Sequence, residues 1–125
     1  VLCLAQNLYF EASTQPIDGL MAVAATVFNR QHSTQYPTSV CGVVYQPWQY
    51  TWTQQRSRWQ SIPPRKYMEL ARRWLAVPEW VRAQFPPITH YHRTDVTPAW
   101  AAQLSPVMHI GPHMFYVQPP TGKHP

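Results

Sequence analysis

Leu4, Leu8 and Glu11 fall at i, i+4 and i+7, so one face of a helix from about Val1 to Ala12 carries apolar side chains and then a carboxylate. The run Ser13-Thr14-Gln15-Pro16 suits a stop and restart, with Pro16 tolerated in a first helical turn and Asp18 placed where negative charge favours a helix N-terminus. A second helix is predicted to about Gln31. Its apolar residues Leu20, Val23, Ala24, Val27 and Phe28 repeat at i, i+3, i+4, i+7 and i+8, the strongest periodic signal in the chain, which makes it central to the core.

Pro37 opens a short apolar segment, Val40 to Tyr45, long enough for two helical turns or fewer. From Gln46 to Pro64 no helical period is present. Trp48, Tyr50, Trp52 and Trp59 stand there among Gln, Ser and Thr, a long aromatic loop of the sort that is usually functional. Tyr67, Leu70, Ala71, Trp74 and Leu75 then give another amphipathic helix, closed by Pro78, on which Glu69 and Arg73 can pair at i, i+4. Ile88 to Arg93 and Met114 to Val117 are the strand candidates, and the tail from Pro119 is expected to fray.

Composition narrows the class. The 125 residues are 45% hydrophobic and 12% charged, which suits one domain with a real core. Six Trp, seven Tyr and four Phe exceed what such a core needs, so some rings are expected at a surface. A formal charge of +5 favours polyanionic partners, including nucleic acid, anionic lipid and carboxylate-rich peptidoglycan. Lys and Arg are scattered, however, and Trp48 to Gln55 holds no cation, so a nucleic-acid arm or single-strand platform is not expected. No apolar run approaches the roughly 18 residues of a membrane span. Val1 to Ala5 is too short and uncharged for a signal peptide, and with no initiator Met the chain leaves room for a leader or another domain upstream. Cys3 and Cys41 permit one disulfide or two buried thiols, and their number does not decide which.

The acids are few: Glu11, Asp18, Glu69, Glu79 and Asp95. Only Glu11 shares a face with apolar residues. Burial there would raise its pKa, which a general acid working near neutrality needs; the alternative is a core-edge Glu paired with an Arg such as Arg30. His90 and His92 on a strand would project to one side and Tyr91 to the other. Together with His109 and His113 they could in principle hold zinc, but Pro112 opposes a helix between the latter pair and no H-E-x-x-H motif occurs. Gln49, Tyr50 and Trp52 suit a sugar subsite of stacking rings and an amide, with core packing as the competing role for each Trp.

Cys3 through Tyr9-Phe10-Glu11-Ala12, Gly19 through Val27-Phe28-Asn29-Arg30, Pro37 through Val40-Cys41-Gly42 to Gln46, and Gln49-Tyr50-Thr51-Trp52 resemble the SleB/CwlJ family of cell-wall hydrolases. Thr89-His90-Tyr91-His92, Pro98-Ala99-Trp100 and Ile110 through Tyr116 look like that family's C-terminal blocks. The resemblance implies a mainly helical, lysozyme-like α+β fold with a small β element, one catalytic domain over residues 1–125, and cleavage of peptidoglycan glycan strands with Glu11 as the catalytic acid. Gln49, Tyr50, Trp52, Tyr91 and His92 carry over as substrate-side residues, although strand alternation warns that Tyr91 and His92 do not both face a cleft. Two departures stand out: Trp48 and Gln54 replace cysteines common in relatives, and Pro112 stands where a polar residue is usual.

Glycoside hydrolysis ordinarily takes two carboxylates, and the sequence offers no obvious second. A lytic transglycosylase scheme needs only one. Competing expectations are a two-carboxylate hydrolase, a zinc amidase or peptidase using the histidines, and a non-catalytic peptidoglycan-binding module. The favoured reading requires no cofactor or metal. It expects a monomer acting on glycan strands in the cell envelope (periplasm, spore cortex or extracellular), or delivered to the wall by a phage or secretion route.

Overall fold

A computed structural model describes residues 1–47 and 49–118. Trp48 and the tail from Pro119, about which the sequence raised expectations, lie outside the described residues. Helices α1 (Leu2–Ala12) and α2 (Ile17–Gln31) form where the apolar periodicity predicts them. Leu4, Leu8, Val23 and Val27 are almost wholly buried where the two helices meet α3 (Val40–Val44) and α4 (Arg65–Ala76). Ser39 starts α3 by accepting the Gly42 N–H at 2.9 Å, a side-chain cap of the usual kind. On α4, Glu69 pairs with Arg72 at 2.8 Å, not with Arg73: the i, i+3 neighbour is the one within reach. A further turn, α5 (Glu79–Arg82), follows Pro78, where no helical period is present in the sequence.

Three antiparallel strands, β1 (Ile88–Arg93), β2 (Ser105–Ile110) and β3 (His113–Val117), pair in the order β1-β3-β2. β1 and β3 match the expected segments, whereas β2 is an addition. It was illegible because it is a largely exposed edge strand bearing Pro106, a position tolerated only where a ladder is incomplete. Gly111 turns β2 into β3 at φ 55°, a left-handed backbone that favours glycine, and a Cβ there would also have to displace the end of the Gln15 side chain, whose Oε1 would lie 2.6 Å away. His109 and His113 thus stand on two strands of a hairpin rather than on one helical face.

The aromatic segment is more ordered than its sequence suggests. It forms two short 3-10 turns, Thr51–Gln54 and Arg56–Gln60, fastened to α1 by buried polar side chains. Gln6 donates to the carbonyls of Trp59 and Ser61, both at 2.9 Å, and accepts the Tyr45 hydroxyl at 2.6 Å. Asn7 Oδ1 accepts the Trp52 indole N–H at 2.8 Å. Cys3 and Cys41 form a disulfide that ties α1 to α3. At the other end, Asn29 donates to the Ile88 carbonyl at 2.9 Å and Arg30 to the Thr89 carbonyl at 2.7 Å, which docks β1 on α2. These links fix where the strand meets the end of α1.

Candidate active site

Glu11 lies in the last turn of α1, at the floor of an open cavity of about 470 Å³. The lining comes from three places: Phe10 and Glu11 on α1, Thr51 in the aromatic segment, and a wall from β1, the following loop and β3 that includes Tyr91, His92, Trp100 and His113. Tyr91 donates its hydroxyl to Glu11 Oε1 at 2.5 Å across 80 residues of sequence. One carboxylate oxygen is therefore occupied, and the other is the one left to carry a proton toward a bound group.

Desolvation pushes the Glu11 pKa up, opposed by the Tyr91 hydrogen bond and by the positive charge of Arg30. Arg30 is itself buried, but its guanidinium serves the Thr89 carbonyl and the Tyr50 hydroxyl (3.4 Å). Among the described residues no ion pair joins Arg30 to Glu11, so the paired core-edge alternative does not describe this carboxyl. Burial and the Glu11 charge raise the Tyr91 pKa well above its ordinary value, so the phenol stays protonated as the donor. His90 is lowered to about 4 by burial and by Arg30, and His113 is lowered by burial and the charges of Arg93 and His92. The opening thus holds the His113 imidazole, biased toward its neutral form, together with a carboxyl held toward its acid form, a setting that suits proton donation.

Of the residues expected to meet substrate, Tyr91 and His92 both line this cavity despite alternating on β1. His92 rests on Trp100 and on Tyr116, whose hydroxyl lies 2.8 Å from His92 Nε2, while Tyr91 packs against His113 and Phe115. The cavity therefore wraps around the strand end instead of lying on one sheet face. Tyr50 and Trp52 are placed differently: each is 3% exposed, and the Trp52 ring stacks on Phe10 at 4.8 Å, so both rings are packed behind the cavity rather than presented to it. Gln49 is exposed and outside the cavity lining. Phe10, Thr51 and Trp100 were not singled out as site residues from sequence, and His113 entered only as a possible zinc ligand. Each lies within a block that carries the family resemblance, but only the fold brings them together around Glu11. Asp95 is exposed beside Arg93 at 3.4 Å and does not line the cavity. His90 and His92 pack on Trp100, and His109 sits by the Gly111 carbonyl, so among the described residues no group of three or more His, Cys, Asp or Glu converges as a metal site.

Comparison with known proteins places this geometry. Residues 14–116 match the family model described as cell wall hydrolase. The chain belongs to the cell wall hydrolase family. That match begins just beyond Glu11, so the case for Glu11 rests on the cavity itself. A spore cortex-lytic enzyme of Halalkalibacterium halodurans is 32% identical over 115 residues, covering 90% of this chain and 33% of that protein. One from Bacillus subtilis is 44% identical over 48 residues, covering 38% of this chain and 16% of that protein. This family member therefore spans well under half the length of the curated relatives it matches. Among solved structures, the catalytic domain of the germination-specific lytic transglycosylase SleB from Bacillus anthracis superposes with a TM-score of 0.74 at 22% identity, over 92% of this chain and 91% of that one. The catalytic domain of the Bacillus cereus SleB protein gives 0.71 at 22% identity, over 92% and 87%. The fold is accordingly the mainly helical α+β type with a small sheet that the sequence implied.

Proposed function

We propose that residues 1–125 form a single catalytic domain that cleaves the glycan strands of peptidoglycan by lytic transglycosylation, with Glu11 as its acid. One observation carries this reading: Glu11 is the only carboxylate among the cavity-lining residues, and its pKa is raised. A two-carboxylate mechanism needs a partner within roughly 5 to 9.5 Å of the acid, on the same opening. In the single-acid scheme the Glu11 carboxyl gives its proton to the glycosidic oxygen as the C1–O bond breaks. The resulting carboxylate then takes the proton of the sugar's own 6-hydroxyl as O6 closes on C1, and no water is consumed.

Tyr91 supports both halves of that cycle, because its hydroxyl holds Glu11 in place and stabilises the carboxylate left after proton delivery. His92 and Trp100 line the same wall as Tyr91 and face the glycan with it, while Trp52 acts from behind by fixing Phe10 and, through Asn7, α1. The relatives named spore cortex-lytic enzymes and lytic transglycosylase agree with this assignment. It places the protein's work in the cell envelope: periplasm, spore cortex, or an outer wall reached by phage or secretion. Among the described residues no helix is long and apolar enough to cross a membrane. The domain acts in this reading as a monomer without nucleic acid, cofactor or metal.

Glu11→Gln tests the assignment because it keeps size and removes the proton donor. Lysis of purified sacculi should fall by about 10²- to 10⁴-fold with folding intact, the usual contribution of general acid catalysis. A folded Glu11→Gln protein keeping more than about a tenth of wild-type lysis would remove Glu11 from that role.

A further inference from the structure

A second opening of about 450 Å³ lies on the aromatic segment, lined by Tyr45, Pro47, Thr53, Gln54, Arg56 and Trp59. Its two rings are held from behind. The Tyr45 hydroxyl is bound to Gln6 and the Trp59 indole N–H to the Thr53 carbonyl at 2.6 Å, so what the rings offer outward is aromatic surface. Trp59 is 42% exposed, a large area for a tryptophan whose polar atom is already satisfied. Arg56 lies over that indole at 5.2 Å and has no carboxylate partner among the described residues.

The opening is joined to the Glu11 cavity through a row of rings. Phe10, which lines the Glu11 cavity, stacks on Trp52 at 4.8 Å; Trp52 meets Tyr45 at 5.5 Å; Tyr45 meets Trp59 at 5.4 Å. Trp52, which lines neither opening, is thus the buried link between a ring of each, Phe10 on one side and Tyr45 on the other. Arg58, over the Phe10 ring at 4.9 Å, stands along the same course.

From this the geometry points to a second subsite, formed by Trp59, Gln54 and Arg56, that binds sugar units of the same glycan strand several positions away from the bond at Glu11. The inference rests on the glycan-cleaving reading above. The match is chemical: a sugar ring has an apolar face for the indole, hydroxyls for the Gln54 amide, and, in peptidoglycan, attached peptides whose carboxylates suit Arg56. Binding energy gathered at a site remote from the reacting bond makes cleavage depend on strand length.

Two measurements test it. In the Glu11→Gln background, where the strand is not cut, co-sedimentation with purified sacculi should show Kd raised about tenfold by adding Arg56→Gln or Trp59→Ala, the loss of about one stacking or charge-assisted contact. With Glu11 intact, the ratio of kcat/KM on long glycan chains to that on a tetrasaccharide fragment should fall by a similar factor in the same two variants. The ratio is insensitive to the fraction of folded protein, and exposed Arg56→Gln does not touch the core, so a folding defect in Trp59→Ala cannot mimic the result. Unchanged Kd and unchanged length ratio in Arg56→Gln and in folded Trp59→Ala would overturn the subsite while leaving Glu11 as the acid. Loss of the glycan reading itself shows separately, as lysis that survives Glu11→Gln.

Discussion

Replacing Trp52 separates a ring that touches sugar from one that supports the site. Its indole is 3% exposed, stacked on Phe10, edge-on to Tyr45, and bonded to Asn7 Oδ1 at 2.8 Å. Asn7 is wholly buried, so loss of the indole N–H would leave its Oδ1 acceptor without that donor. For Trp52→Phe the ring stacking is largely kept, and the orphaned acceptor costs about 1–3 kcal/mol. At roughly 4 °C per kcal/mol for a domain of this size, Tm should drop by roughly 4–12 °C. Trp52→Ala adds a cavity and should cost about 3–5 kcal/mol or more, a large part of the 5–15 kcal/mol typical of a domain. Urea denaturation followed by circular dichroism gives these values. Pairing Trp52→Phe with Asn7→Ala in a double-mutant cycle should show a coupling of about 1 kcal/mol. If Trp52→Phe stays within about 0.5 kcal/mol of wild type while binding to sacculi weakens tenfold, Trp52 is a sugar contact and the packing argument fails.

Removing the Tyr91 hydroxyl by Tyr91→Phe deletes a bond that favours the charged carboxylate, so the Glu11 pKa should rise further. Because the acid form is the active one, the alkaline limb of kcat/KM should move to higher pH, and a shift to lower pH would contradict the assignment. The same raised pKa means that Glu11 contributes stability below the unfolded carboxyl range and loses it as pH rises through the folded value. Glu11→Gln should therefore flatten the fall in stability seen by denaturation at successive pH values. Reducing the Cys3–Cys41 disulfide, or Cys41→Ser, should cost about 4 kcal/mol in the chain-entropy account for its 38-residue separation, read as a lower urea midpoint; no change would mean the reduced chain is already constrained. Asp95→Asn should leave most lytic activity, since Asp95 is exposed and outside the cavity lining, whereas a folded but inactive variant would make it the missing second carboxylate.

The helical part of the fold was legible because the large apolar side chains of α1, α2 and α4 recur at helical spacing, which is local information, even though α2 is buried on most of its sides. Glu11 was legible for the same reason: it is a carboxylate on an apolar stripe. What the sequence could not resolve depends on partners far along the chain. The choice between sugar contact and core packing for Trp52 is made by Asn7, 45 positions away. Gln6 and Asn7 read as the polar side of α1 until the aromatic segment folds over them. Tyr91 and His92 share a cavity because the opening curls around the end of β1, which strand alternation does not report. Edge strand β2 carries little alternation because most of it faces solvent, so its presence follows from β3 needing a second neighbour.

Mass spectrometry of muropeptides released from purified sacculi by the wild-type chain should find strands ending in 1,6-anhydro-muramic acid, lighter by one water than the hydrolytic fragment, with their release cut about 10²- to 10⁴-fold by Glu11→Gln. Fragments carrying free reducing ends would show that water, not the sugar's own hydroxyl, attacks C1, and would contradict the single-carboxylate mechanism.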